Sequence, residues 1–314
     1  MQIVGFTTAH IEQAIQIARQ NYETERGFVP ALPPAEEWPD LTPLAENGLG
    51  VAALDGGRMV GFLCGSGIWD GAWNMPELRH VFSPMHANGI VRENRAGIVA
   101  RLYQAAGEKW ARAGAASHGV CLYAHDTEGL AQFFRYGFGM RCIDAIRGMD
   151  KVAAPPCGGY TFTELAPEEY TEALPLDNML HRYYLESPFF MFRPEITEAE
   201  FWANVGTDRY FAARKDGRAV AFLAAGDAGE TFIRGTPGYI HADGAFCLPE
   251  HRGKGIQQNL LNLAVQTLKA GGYTHLGVDF ESVNPSGSAF WLKHFTAYTH
   301  SVVRRVDEGA VRRL

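Results

Sequence analysis

Chemistry is densest between residues 239 and 265, which read YIHADGAFCLPEHRGKGIQQNLLNLAV. His241, Asp243, Ala245 and Cys247 alternate with their neighbours and predict a strand. Pro249-Glu250-His251 predicts a short turn. Arg252-Gly253-Lys254-Gly255 then opens a helix with apolar positions at Ile256, Leu260, Leu261, Leu263, Ala264 and Leu268. A strand that delivers glycines into a helix N-terminus builds an anion cradle. The first-turn N–H groups have no intrahelical partner, the helix dipole adds partial positive charge, and glycine lets a phosphate approach the backbone. Two common phosphate loops are excluded. The pattern G-x-x-x-x-G-K-[ST] is missing, and Gly253-x-Gly255 lacks the third glycine of the dinucleotide fingerprint.

A second locus follows a predicted strand at 276–281. Asn284-Pro285 is a turn and helix-start signal, and Trp291 lies seven residues after Asn284. Together the two loci resemble the acetyl-CoA site of the GCN5-related N-acetyltransferase (GNAT) superfamily. The stretch Pro249-Glu250-His251-Arg252-Gly253-Lys254-Gly255-Ile256-Gln257 is similar to its Arg/Gln-x-x-Gly-x-Gly/Ala loop, with Gln257 where the family has a small residue. Asn284 matches an Asn that contacts the CoA arm. Trp291 stands where a Tyr commonly protonates the leaving thiolate, a task for which indole is a poor donor.

The resemblance implies a mixed, mostly antiparallel sheet flanked by helices, and transfer of an acetyl group from acetyl-CoA, as acyl donor, to an amine. It implies that Phe246, Cys247 and Leu248 on the strand, Arg252, Gly253, Lys254, Gly255, Ile256 and Gln257 in the loop, and Asn284 and Trp291 beyond it bind that donor. Attack needs a neutral amine and therefore a general base. Asp243 is the first candidate, with His241 on the same strand face by alternation and Glu281 at the end of the next strand. The acceptor, expected to be a small molecule, would sit against 175–205, which holds Tyr183, Tyr184, Phe189, Phe190, Phe192 and Trp202. Core packing of short helices is the competing reading of those aromatics. Two other functions are compatible with the same residues: a non-catalytic acyl-CoA-binding regulator, and an acetyltransferase acting on a peptide or protein amine.

These loci need elements to hold them, and the chain supplies a set twice. Residues 151–159, KVAAPPCGG, read as a linker between domains at 1–150 and 160–314. VAALDGGRMVGFL at 51–63 overlays FAARKDGRAVAFL at 211–223, each strand, turn, strand. KWARAGAASH at 109–118 overlays QTLKAGGYTH at 266–275, each a helix ending in glycine before a strand. The expected architecture is therefore α/β, two tandem GNAT-like domains acting as a pseudo-dimer. At an offset of 158, Gly97 falls under Gly255, Arg95 under Gly253, Asp126 under Asn284 and Phe133 under Trp291. A charged side chain in place of the first cradle glycine predicts an N-terminal half degenerate in CoA binding.

Composition narrows the remaining classes. The 314 residues carry 28 Lys and Arg against 35 Asp and Glu, a net charge of −7 that disfavours a nucleic-acid partner and mildly favours cationic acceptors. Five widely spaced cysteines without C-x-x-C, and eleven scattered histidines, give neither a disulfide framework nor a metal site, and fit a reducing cytoplasm. No apolar run reaches the ~18 residues of a membrane span, and residues 1–6 do not read as a signal peptide.

Overall fold

The computed structural model describes residues 1–72 and 75–314, and its contacts divide into two compact units, 1–144 with 297–314, and 145–296. In chain order the first unit holds β1 (Gln2–Gly5), α1 (Ile11–Phe28), α2 (Thr42–Glu46), β2 (Val51–Asp55), β3 (Arg58–Leu63), β4 (His80–Ser83), β5 (Asn88–Ile90), α3 (Arg95–Arg112), β6 (Ser117–Tyr123), α4 (Thr127–Arg135) and the start of β7 (Gly139–Gly148). The second holds β8 (Thr161–Glu164), α5 (Leu174–Tyr183), α6 (Glu198–Asn204), β9 (Arg209–Lys215), β10 (Arg218–Gly226), β11 (Tyr239–Cys247), α7 (Ile256–Ala270), β12 (His275–Glu281) and α8 (Pro285–His294). The chain closes with β13 (Thr296–Arg305) and α9 (Glu308–Val311).

The compact units differ from the expected division at 151–159. That segment lies inside the second unit, and residues 297–314, expected in the second domain, belong to the first. The reason is strand pairing: β13 runs antiparallel to β6 from Thr299↔Tyr123 to Arg305↔Ser117. Hydrophobic alternation along β13 predicts a strand but not its neighbour.

Within the first unit, β1-β2-β3-β5 form an antiparallel sheet, and β4 pairs β6 in parallel. The apolar stripe of α3 (Ile98, Leu102, Ala106, Trp110) packs on Val51, Ala53 and Leu63, while Ala14, Ile17 and Ala18 of α1 meet Ala52, Met59 and Phe62. In the second unit the order is β12-β11-β10-β9-β8, antiparallel except for β11 with β12. Leu176 of α5 and Phe201 and Val205 near α6 bury one face with Tyr210, Phe222 and Phe246. In α7, Leu260, Leu261, Ala264 and Leu268 are fully buried.

The repeated hairpins are alike in detail. Gly56-Gly57 joins β2 to β3 and Asp216-Gly217 joins β9 to β10, with φ of 56°, 82°, 49° and 77°. Two left-handed residues in a two-residue loop match the twist of the strands they connect.

Candidate active site

The site in the second unit begins with a parting of strands. β11 and β12 pair from Tyr239↔His275 to Ala242↔Val278. Both then continue, to Cys247 and Glu281, beyond the last recorded pair. Opposite, β11 stays in register with β10 but for one irregularity: Ala225 faces Ala242 and Ala224 faces Gly244, so Asp243 is the extra residue of a bulge. A bulge re-aims the side chain it carries. It also breaks the alternation that would have put His241 and Asp243 on one face.

Where the strands part, two concavities open. The first, a slot of about 400 Å³, is lined by Tyr183, Phe246, Cys247, Arg252, Gly253, Gly255, Ile256, Gln257, Asn284 and Trp291, among others. At its head, Gly253 and Gly255 have φ of 75° and 80°, a region that only glycine enters freely. A Cβ on Gly253 would meet open space, whereas one on Gly255 would collide with the ring of Pro155. Segment 151–159 is therefore laid along the loop. The Cys157 thiol donates to the Lys254 carbonyl at 2.8 Å, and Asn259 Nδ2 donates to the Pro155 and Gly255 carbonyls. No side chain caps α7, in contrast to α8, where Asn284 Oδ1 accepts from Gly287 N at 2.8 Å. The first-turn donors of α7 thus have no side-chain cap and face the head of the slot, the arrangement that suits an anion.

These features fit the diphosphate arm of a CoA. A further observation agrees: Gln257 Nε2 donates to the Phe222 carbonyl at 3.2 Å, while its buried Oε1 has no donor among the described residues. An acceptor stranded beside the slot is the kind of group an amide-bearing arm would satisfy with small adjustment. Arg252 lies over the rings of Tyr183 (5.1 Å) and Phe246 (5.2 Å) and donates to the Cys247 carbonyl. Cys247, its thiol pushed up to about 11 by burial, stays neutral and serves as wall.

The second concavity, about 380 Å³, adjoins the first; Leu180, Ala245, Asn284 and Trp291 line both. Its walls carry Tyr184, Phe201, Tyr210 and Phe222, and the carboxylates of Asp177, Asp208, Asp243, Asp279 and Glu281. Asp243 opens onto the cavity, yet the protein around it removes enough water to raise its carboxyl, an effect that Asp279 and Asp177 add to and His241 and Arg193 oppose. Burial, with Asp243 next, pushes Asp208 up to about 6. Burial also raises Asp177, against His181 and Arg193.

Of the three base candidates, Asp243 and Glu281 reach this cavity and His241 does not. His241 is buried, with Nδ1 on the Tyr239 hydroxyl at 2.8 Å and Nε2 on Asp279 at 2.8 Å. Glu281 is buried and takes Arg193 at 3.3 Å, which ties it to a fixed cation.

Two residues expected at the donor site lie outside the slot. Leu248 packs with the apolar core, and Lys254 turns back to the Glu250 carbonyl at 2.8 Å. The expected aromatic wall at 175–205 divides. Tyr183 enters the slot and Tyr184 the acceptor cavity, Phe189 is buried against both, Phe190 and Phe192 are exposed, and Trp202 stacks on Tyr170. Sequence reading missed Asp177, Asp208 and Arg193. Their only signal was that they sit at an early turn of α5, before β9 and in the α5–α6 connection.

The first unit carries the homologous elements with a different register. The left-handed N-cap of α3 is Asn94 (φ 50°), so Asn94 corresponds to Gly255 and Arg95 to Ile256; Gly97, expected beneath Gly255, lies within α3. Asp126 and Asn284 do correspond, each capping the next helix. Arg95 reaches Asp126 with Nε at 2.6 Å and Nη2 at 2.7 Å, and donates to the Ile90 carbonyl and to Asn21.

Parted strands, an uncapped glycine-lined helix start and an adjoining acidic cavity thus meet in the second unit. Residues 176–295 match the model of the acetyltransferase (GNAT) family. Among solved structures, the chain is similar to a GCN5-related N-acetyltransferase from Sphaerobacter thermophilus, at 14% identity and TM-score 0.58, over 96% of this chain and 95% of that one. It is also similar to the glucosamine N-acetyltransferase region of a fungal multi-domain β-N-acetylglucosaminidase, at 15% identity and TM-score 0.52, over 96% of this chain and 38% of that one. At these identities the likeness is one of fold. No curated protein matches the chain. Among the described residues no helix is long and apolar enough to cross a membrane, and no three His, Cys, Asp or Glu side chains cluster as a metal site would need.

Proposed function

We propose that the second unit transfers the acetyl group of acetyl-CoA to a small-molecule amine. The observation that carries this is the junction: a donor slot headed by Gly253 and Gly255 shares Asn284 and Trp291 with an acid-lined cavity. A thioester placed at the junction meets an amine arriving through the cavity. Asp243, re-aimed by the bulge and raised above the ordinary carboxylate range, takes the proton the amine must lose. Glu281, held by Arg193, orients rather than accepts. The edge of β11 beyond Ala242 offers backbone groups to the donor's amides as an added strand would. As the carbon–nitrogen bond forms and the carbon–sulfur bond breaks, the thiolate takes a proton from the Tyr183 hydroxyl, which lines the slot and lies 3.2 Å from Ser286 Oγ. The first unit keeps the fold and leaves acyl-CoA binding to the second.

Incubation of the full chain with acetyl-CoA and a panel of primary amines, following free thiol, tests the reading. Thiol release that depends on amine, and is abolished by Gly253→Glu, is expected. Clear CoA binding with no turnover on any amine would replace the reading with that of an acyl-CoA-binding regulator.

A further inference from the structure

The site is given by the junction of slot and cavity; the charges on the cavity wall decide which amine enters it. Five carboxylates line that wall, and two of them form ion pairs; His181 and Arg193 also act on Asp177, and His241 and Arg193 on Asp243, without bonding to either. Glu281 pairs with Arg193, and Asp279 pairs with His241. The remaining three, Asp177, Asp208 and Asp243, receive no hydrogen bond from any described side chain or backbone group. The other titratable groups on the wall are His181, whose Nδ1 lies 2.6 Å from the Pro194 carbonyl, and Tyr184 and Tyr210. The three free carboxylates lie close enough to act on one another. Asp243 raises Asp208, Asp177 raises Asp243, and all three raise the Tyr210 phenol after its own burial.

Asp208 is brought there by design of the backbone, because its carboxylate fills the space that a Cβ on Gly226 would occupy. Partly buried carboxylates without partners are costly, and a cation entering among them relieves the repulsion. A single ammonium at the thioester faces Asp243 alone. Asp177 and Asp208 stand on other elements, α5 and the turn before β9; the Tyr184 ring on this wall already carries the Arg193 guanidinium at 4.2 Å, and the Tyr210 ring is the aromatic face left to attract an ammonium.

We propose that the acceptor is a small dication, a diamine or polyamine-type molecule whose distal ammonium is held by Asp177 and Asp208 while Asp243 serves the reacting amine. This deepens the reading of the second unit as an amine acetyltransferase and rests on it. The cavity of about 380 Å³ accommodates a short alkyl diamine and gives each end its own carboxylate.

The test uses matched probes on the full chain: 1,4-diaminobutane, butylamine and 4-amino-1-butanol. The kcat/KM for the diamine, from thiol release, is expected to exceed that of either monocation by about tenfold or more, with Asp208→Asn and Asp177→Asn each removing most of that preference. Calorimetric binding of the same probes without acetyl donor is expected to show the same order, so the ligand is read independently of turnover. Dication preference in binding without thiol release would uphold the acceptor class and overturn the transferase reading. Thiol release with equal use of all three probes would uphold the transferase and overturn the dication. Retention of the preference in both folded Asn variants would also overturn it.

Discussion

The two units start the same helix in the same way and reach opposite ends. Asn94 and Gly255 are both left-handed N-caps, without a side-chain cap, at the head of α3 and α7. The next residue decides. Ile256 turns into the core and leaves the slot open. Arg95 turns the other way, takes both oxygens of Asp126 and donates to the carbonyls of Ile90 and Val91, the backbone groups an added strand would need. In the first unit the first helical side chain thus fills with its own hydrogen bonds the place that Ile256 leaves open in the second; on the proposed function, this is what closes the first unit to acyl-CoA.

The Arg95–Asp126 pair offers the largest way to break this comparison. Its side chains are 14% and 5% exposed, so Arg95→Ala strands a buried carboxylate. A loss of about 3–5 kcal/mol is expected in denaturant unfolding, partly recovered by adding Asp126→Ala. The stoichiometry of acyl-CoA binding, by calorimetry, should stay at one per chain. A second binding event in either variant would mean that Arg95 alone had kept the first unit closed. Next in size, Gly253→Glu should weaken acyl-CoA binding more than about 100-fold, near 3 kcal/mol, by facing phosphate with a carboxylate. Open space around a Cβ there spares the packing that Gly255→Glu would disturb. Arg92→Glu, in the seat of the first unit that matches Gly253 when Asn94 lies over Gly255, should leave that affinity unchanged.

A sequence shows a feature when the residues that make it are neighbours in the chain. The cradle was legible because it is local: Arg252-Gly253-Lys254-Gly255 is contiguous, and its glycines are needed for their φ values. The hairpins were legible for the same reason. The alignment of Arg95 with Gly253 failed because it assumed one offset, while the helix caps show Asn94 over Gly255 and the later caps, Asp126 and Asn284, keep the other spacing. The site's acids were not legible. Asp177, Asp208 and Asp243 come from a helix, a turn and a bulge, and nothing in their spacing announces that they meet. Pairing of β13 with β6 is likewise a choice among sheet edges that alternation does not make.

Asp243→Asn sharpens the catalytic side of the contrast. It removes the proposed base without touching the donor slot, so kcat should fall about 100-fold, near 2.7 kcal/mol, with acyl-CoA affinity retained. Because its carboxyl is raised, wild-type kcat/KM should decline with falling pH above the ordinary carboxylate range, and that limb should vanish in the variant. If the limb persists, Glu281 or a water chain holds the proton instead.

The smallest effect expected is on stability, and its sign is diagnostic. Asp208 titrates at about 6 in the folded chain against its ordinary 3.8, chiefly from burial and then from Asp243. Between those values the native state holds the extra proton, so stability falls as pH rises through that window, and the full penalty is present above it. Asp208→Asn keeps the shape and removes the charge. Urea unfolding of the ligand-free chain should therefore show the variant more stable at pH 8, by about 1 kcal/mol or less because the partly exposed group is screened by solvent. The two should converge near pH 3, where the carboxyl is protonated folded or unfolded. A variant less stable at pH 8 would show that Asp208 is already paid a partner's charge in the empty cavity, and would remove the reason for a second cation to enter it.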